Sequence, residues 1–355
     1  MSLSQILALE TILEGAYRRE EYPATSYQAE LWSTGRPLEG LTILDATPVY
    51  RNTLAKYRGL LMAGAELIVG LSDVMPCDGK IVEKLKELDI PVVRADDPER
   101  SVDIILDCAG SFANWNPRIG YVELTRSGVY KYEGKNKPVY LADSGRIKKI
   151  ETCLGTGESY YRSMKTLGYE DWDGKKILIF GTGKVGTGLV MYARRKGAIV
   201  TVVTSLLKMP EHLKPLVEAV IDYHDAEATA AAVREADAVV TATGIPGAAT
   251  YACSPDVFIN CRAVLANMGV EDEYGPGVPE DRVLEKKRPL NFMLEEPTLI
   301  RYIDATMALH NAGALYLAVH PESKGLIVPS EHTEHDLLHV TRRDGIIKEE
   351  MDMIP

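Results

Sequence analysis

The chain is poor in long apolar runs, in positive charge and in paired cysteines, and each shortage removes a class of protein. No apolar stretch among the 355 residues reaches the roughly 20 that a membrane span needs before a charge interrupts it. The opening MSLSQILALE has no basic region followed by an apolar run, so no export signal is expected and the sequence predicts a cytoplasmic protein. Forty Lys and Arg face 51 Asp and Glu, a formal charge of −11. That balance disfavours phosphate backbones and anionic lipid, so neither nucleic acid nor membrane is an expected partner. The five cysteines (Cys77, Cys108, Cys153, Cys253, Cys261) are odd in number and scattered, with no Cys-x-x-Cys pair. They suit reduced thiols better than a disulfide frame or a zinc site. Sequence repeats and low-complexity segments are absent as well.

What is present is a globular composition, 46% apolar and 26% charged, on a chain long enough for two domains. Short β-branched runs alternate with helical patterns from TILDAT (42 to 47) through ELIVG, PVVRA, DIILDCAG, YVELT and PVYLAD. That alternation requires a parallel sheet with helical crossovers. A helical pattern over about 151 to 168 leads into polar DWDGKK, and a second series begins at Ile177. It runs ILIFGTG, a helix to Lys196, AIVTVVT, a helix from about 209, AVVTATG, AVLANMG and LNFMLEE. A long apolar helical pattern at 303 to 319 reads as a buried helix returning between the domains. The predicted fold is α/β in two domains: a substrate-type α/β domain over 1–165, a Rossmann-type doubly wound parallel sheet over 166–305, and a C-terminal helix and tail over 306–355 that packs back on the first domain.

The strongest local motif is KILIFGTGKVGTGLVMYARRKGAIVTVVT. Here Gly181 permits the tight turn, Gly183 lets backbone amides approach a pyrophosphate, and Gly186 lets the helix lie close on the strand. Thr182, Lys184 and Val185 belong to the same loop. The next strand closes on Val203, Thr204 and Ser205, without the carboxylate that usually holds the ribose of NAD. Thr204, Ser205 and Lys208 could hold a 2′-phosphate, so NADP is as open as NAD; alternatively Lys208 is a solvated lysine. Thr243, Gly244 and Asn267, at later strand ends, are expected to border the nicotinamide ribose.

In shared order and spacing the chain resembles the S-adenosylhomocysteine hydrolase family over most of its length. The matching stretches are LEGLTILDATPVYRNT, MAGAELIVGLSD, DIPVVRADD, ILDCAGS, ADSGRIKKIETCLGTGES, GTGKVGTG, AVVTATG, AVLANMG and LEEPTLI. The resemblance implies a substrate domain ahead of an NAD domain. It also implies a reaction in which tightly held NAD oxidises a ribose 3′-hydroxyl, homocysteine is eliminated, water adds and the ketone is reduced. The family's reacting groups are largely replaced. Its first histidine falls on Pro48, an aspartate on Ser111, and a glutamate on Leu124 beside retained Glu123 and Thr125. Its lysine falls on Ile147, next to Lys148 and Lys149. Glu151, Thr152, Thr156 and Val270 stand where it has aspartate, asparagine, cysteine and histidine. His310 lies about two residues from the position of its last histidine, and EEMDMIP has no counterpart of its C-terminal Lys and Tyr. The family forms tetramers; with that extension missing here, a homodimer is expected.

The cofactor half is thus better kept than the substrate half. Lys148, Glu151 and His310 are the candidate catalytic residues, at an expected seam between domains where desolvation would tune their pKa values. A solvated lysine flank and a hydrogen-bonded core histidine are the structural alternatives. Asp107, ending a strand, and Arg301, suited to a carboxylate, are the candidate substrate-binding residues, although Arg301 could equally pair with an acid such as Glu296. His332, His335 and His339 share a helical face, but their spacing does not match a known zinc helix, and no metal is expected. Cys153 is read as structural. Three functions stay open: an NAD(P)-dependent oxidoreductase transferring hydride on a small polar metabolite, an adenosylhomocysteinase-like hydrolase or lyase on an altered thioether or nucleoside, and a non-catalytic dinucleotide-binding protein.

Overall fold

A computed structural model describes residues 3–73, 75–143 and 145–354. The chain divides into two compact units, Met1–Lys148 with Leu299–Met351, and Lys149–Thr298 with Asp352–Pro355. The crossings therefore fall at 148 and 298, where 165 and 305 were expected. The earlier first crossing has a packing cause, because the helix Thr156–Thr166 and the π-helical turn Ile150–Gly155 ahead of it lie against the glycine-loop helix of the second unit.

The first unit holds an all-parallel sheet of β1 (Thr42–Asp45), β2 (Glu66–Leu71), β3 (Val92–Arg94), β4 (Ile104–Asp107), β5 (Gly120–Glu123) and β6 (Val139–Leu141), with β12 (Leu326–Ile327) at its edge. Its order is β12-β6-β5-β4-β1-β2-β3. The second unit's parallel sheet contains β7 (Lys176–Phe180), β8 (Ile199–Thr204), β9 (Ala219–Asp222), β10 (Ala238–Thr241) and β11 (Val264–Asn267), in the order β11-β10-β7-β8-β9. Strands β1 to β5 repeat the order of β7 to β11 step for step, although the sequence carries no repeat. Each sheet reverses direction beside its first strand, the place where open parallel sheets receive ligands at their carboxyl ends.

Two elements of the second unit depart from expectation. Instead of a helix from about 209 there are two 3-10 segments, Leu206–Lys208 and Glu211–Leu216, separated at Met209 and Pro210, and Pro215 in the second lacks the amide an α-helix would need there. The short half-exposed strand β9 then follows where none was expected. LNFMLEE is a 3-10 turn, Leu290–Met293, entered from Pro289, and is not a strand.

The returning helix, Ile300–Val319, belongs wholly to the first unit and is buried along most of its length. Where it crosses the sheet, a Cβ on Gly313 would stand 2.6 Å from Val122 Cγ1 and 2.7 Å from Tyr140, so only glycine allows the approach. Several of its polar groups bind neighbouring elements. Buried Asp304 accepts the Ala24 and Thr25 amides at 2.7 and 3.1 Å, capping the helix Pro23–Gly35. Asn311 Nδ2 donates to the Lys56 carbonyl at 3.1 Å, and the Ala308 carbonyl accepts from Gln28 Nε2 at 2.8 Å. Among the described residues no helix is long and apolar enough to cross a membrane.

Asp304→Ala would leave two buried amides without an acceptor. The expected loss is about 1–3 kcal/mol of stability, read as a lower midpoint in denaturant titration with an unchanged slope.

Candidate functional site

The glycine loop forms because each glycine meets a different steric demand. Gly181 leaves β7 at φ +95°, and a Cβ on it would come within 2.6 Å of the Ala242 carbonyl oxygen just past β10. Gly186 sits where a Cβ would be 2.0 Å from the Gly181 oxygen. Gly183, the N-cap of the helix Lys184–Arg195, is exposed, and a Cβ there would meet nothing within 4 Å. Lys184 is exposed beside it, while Val185 packs into the unit's core. A bare turn facing open space at a helix N-terminus fits a dinucleotide pyrophosphate, whose negative charge the first-turn amides and the helix dipole favour.

The loop is braced from behind. A Cβ on Gly188 would stand 1.8 Å from the Cys153 carbonyl oxygen, and one on Gly157 would stand 2.6 Å from the Gly188 carbonyl carbon. The π-helical turn therefore lies directly on the glycine-loop helix, and Glu151 belongs to that turn. Burial lifts the Cys153 thiol to about 11, which keeps it protonated and fits a structural role.

At the later strand ends the expected cofactor residues are engaged within the protein. The Thr243 amide and hydroxyl and the Gly244 amide donate to the carboxylate of Glu273, the shortest contact being 2.7 Å. Glu273 is fully buried, and burial raises its pKa. Gly269 leaves it room, since a Cβ there would be 2.0 Å from Oε1. Buried Asn267 donates to the carbonyls of Gly269, Glu271 and Lys287 and accepts from Thr241 and the Gly269 amide. These residues shape the loops, and their polar atoms are already committed. Thr204 turns its hydroxyl to Thr182 Oγ1 at 2.9 Å, while Ser205 caps the turn beyond β8 and exposed Lys208 ends it.

In the first unit three carboxylates end three neighbouring strands: Asp45 on β1, Asp107 on β4 and Glu123 on β5, all fully buried. Asp45 pairs with the equally buried Lys56. Asp107 accepts the amides of Cys108, Ser111 and Phe112 and the hydroxyl of Tyr132, so it anchors the loop it precedes. Its two oxygens are thus engaged by four donors within the protein. Ala109 and Gly110 follow at φ +58° and +60°, forming a concave nest whose amides donate to Glu123 at 3.0 Å each. Gly128 makes room for that carboxylate, as Gly269 does for Glu273.

His310 is fully buried, with Nε2 2.9 Å from the Val122 carbonyl and Nδ1 3.4 Å from Thr47 Oγ1. Burial, then the charges of Lys56 and Lys148, hold its pKa well below the ordinary value, so the ring is neutral. Lys148 is thus brought near His310 within the first unit, while Glu151 belongs to the second. Arg301 pairs with Glu21 at 2.5 Å, and not with Glu296. His332, His335 and His339 lie along the helix Glu331–Asp344, where His332 and His335 face Asp336. Glu273, the Asp45–Lys56 pair and the acid closing β9 are not singled out by the sequence, since single acids in short strands or loops carry no periodic signal.

The fold and the loop define a two-unit α/β protein of the dinucleotide-binding type. Residues 165–253 match the family model described as alanine dehydrogenase/PNT, C-terminal domain. The adenosylhomocysteinase of Thermoplasma acidophilum is 23% identical over 309 residues, covering 78% of this chain and 73% of that protein. The adenosylhomocysteinase of Archaeoglobus fulgidus is 26% identical over 238 residues, 59% of this chain and 57% of that one. Among solved structures, a dipicolinate synthase from Bacillus halodurans aligns with a TM-score of 0.49 at 12% identity, over 79% of this chain and 99% of that chain. In sequence the chain is thus similar, at 23–26% identity, to adenosylhomocysteinases.

The close approach at Gly188 and the open space at Gly183 predict opposite outcomes for an added side chain. Alanine favours helices, yet Gly188→Ala drives a methyl into the Cys153 carbonyl and is expected to lower stability by about 1–3 kcal/mol in thermal unfolding. Gly183→Val should fold normally and lose dinucleotide affinity by at least about tenfold in a fluorescence titration.

The buried acids of the first unit add a dependence on pH. Burial raises Asp107 to about 6, and burial with the Asp107 charge raises Glu123 to about 7, from ordinary values of 3.8 and 4.5. Folding therefore favours their protonated forms. The stability they contribute is whole below those ordinary values and is lost as pH rises through 6 to 7, on the order of 3 kcal/mol for Glu123. Melting temperatures of the wild type and Glu123→Gln, measured from pH 5 to 8, should show a fall with rising pH that is shallower in the variant.

Proposed function

We propose that the chain binds NAD(H) or NADP(H) on the glycine loop and uses it for hydride transfer on a small polar metabolite. The observation that supports this reading is the cradle itself: an exposed Gly183 facing open space at a helix N-terminus, at the point where the order β9-β8-β7-β10-β11 reverses. When bound, the nicotinamide would supply a hydride acceptor or donor; the protein's part is to hold, orient and handle the accompanying proton. Glu151 is our first assignment for that proton, because its π-helical turn packs on the glycine-loop helix. Lys148 is the second.

A second reading keeps an internal cycle of oxidation, elimination and reduction on a thioether or nucleoside. It is favoured by the printed names of the relatives, which are adenosylhomocysteinases aligned across both units. The two readings differ in where the electrons end. Hydride transfer to a separate substrate changes the near-ultraviolet absorbance of reduced nicotinamide in proportion to turnover, whereas the internal cycle returns the cofactor unchanged.

Mass spectrometry of the native protein is expected to detect a nicotinamide dinucleotide, and small-molecule extracts are expected to drive a net absorbance change. Cleavage of adenosylhomocysteine without net change would establish the second reading. Failure to bind either dinucleotide would sink both.

A further inference from the structure

β8 closes on Val203, Thr204 and Ser205 with no acid, and the Thr204 hydroxyl is turned inward to Thr182. The carboxylate missing there is present one strand away. β9 pairs with β8 so that Asp222 lies opposite Thr204. Asp222 Oδ2 accepts the Leu206 amide at 3.3 Å, and Oδ1 accepts the His224 amide at 3.0 Å. The first of these bonds carries the carboxylate across the strand gap, against the residues that follow β8. Dinucleotide sites read the adenosine ribose at that strand end, with an acid that accepts from the 2′-hydroxyl. The His224 and Leu206 amides hold the Asp222 carboxyl below the usual carboxylate range, so it is charged at neutral pH. Tyr223, next in the chain, has its ring centroid 6.1 Å from that of Tyr251, which is 70% exposed.

We propose, resting on the dinucleotide reading above, that Asp222 performs from β9 the task of the acid absent from β8. Its carboxylate accepts from the adenosine ribose hydroxyls of NAD(H) and repels the 2′-phosphate of NADP(H), which makes it the residue that sets cofactor choice. Lys208, exposed at the end of the turn Leu206–Lys208, is then a solvated charge and not a phosphate ligand.

The test is titration of the intact protein with NADH and NADPH by isothermal calorimetry, for wild type, Asp222→Asn, Asp222→Glu and Lys208→Ala. Asparagine keeps an oxygen for one of the two amides, and melting temperature reports whether each variant is folded. Wild type should bind NADH at least about tenfold more tightly than NADPH, and Asp222→Asn should bring the two within about threefold, mainly by weakening NADH. Asp222→Glu, which keeps the charge, should retain the preference, and Lys208→Ala should leave it unchanged. A wild-type preference for NADPH, or an Asp222→Asn ratio equal to the wild-type one, overturns the assignment of Asp222 alone. Binding of neither dinucleotide to wild type removes the dinucleotide reading and this inference with it.

Discussion

Backbone amides that leave a parallel sheet at its carboxyl edge have lost their ladder partners and need acceptors, and in both units one buried glutamate supplies them. Glu123 takes the Ala109 and Gly110 amides past β4, and Glu273 takes the Thr243 and Gly244 amides past β10. The two loops occupy the same place in the shared strand order, and in each a glycine, Gly128 or Gly269, clears the space the carboxylate fills. A buried carboxylate without such donors would be strongly unfavourable, and the amides without it would be orphaned. Each partner makes the other tolerable, so the geometry of the strand ends follows from this exchange.

The glycine loop depends on a different constraint, that of close approach. Gly186 admits the Gly181 carbonyl, and Gly188 admits the Cys153 carbonyl from the π-helical turn. Backbone packed on backbone holds the loop from beneath and from behind, leaving Gly183 to face outward. A loop fixed this way owes its shape to missing side chains, so its precision does not depend on a ligand being present. That is the condition under which helix-terminal amides can favour an anion without first being reorganised.

Much of this was legible in the chain. The glycine spacing between strand and helix marks the loop, and the β-branched runs mark every strand but β9 and β12. The apolar pattern at 303 to 319 foretells a buried helix, and that helix starts at Ile300. The parts that escaped are those with no periodicity. β9 has four residues, is half exposed and follows a Pro-interrupted segment, so the pattern around 209 reads as helix and Asp222 goes unnoticed. The internal hydrogen bonds of Asp107, Asn267 and Thr243 escaped for another reason. A residue type at a strand end shows that polar chemistry is available, but not whether its lone pairs face a ligand or the loop next to it.

That distinction bears on how the chain relates to the adenosylhomocysteinases. In the first unit the acids, the lysine and the histidine at the carboxyl edge are mutually satisfied: Asp45 by Lys56, Asp107 by three amides and Tyr132, Glu123 by its nest, His310 by Val122 and Thr47. A fully buried carboxylate such as Asp107, with four donors on its two oxygens, has no lone pair left to offer a ligand without opening its loop. At the rim of the network Ser72 and Ser111 are partly exposed, with their hydroxyls 2.8 Å apart. The unit's buried polar residues are thus committed to the rigidity of its carboxyl-edge loops.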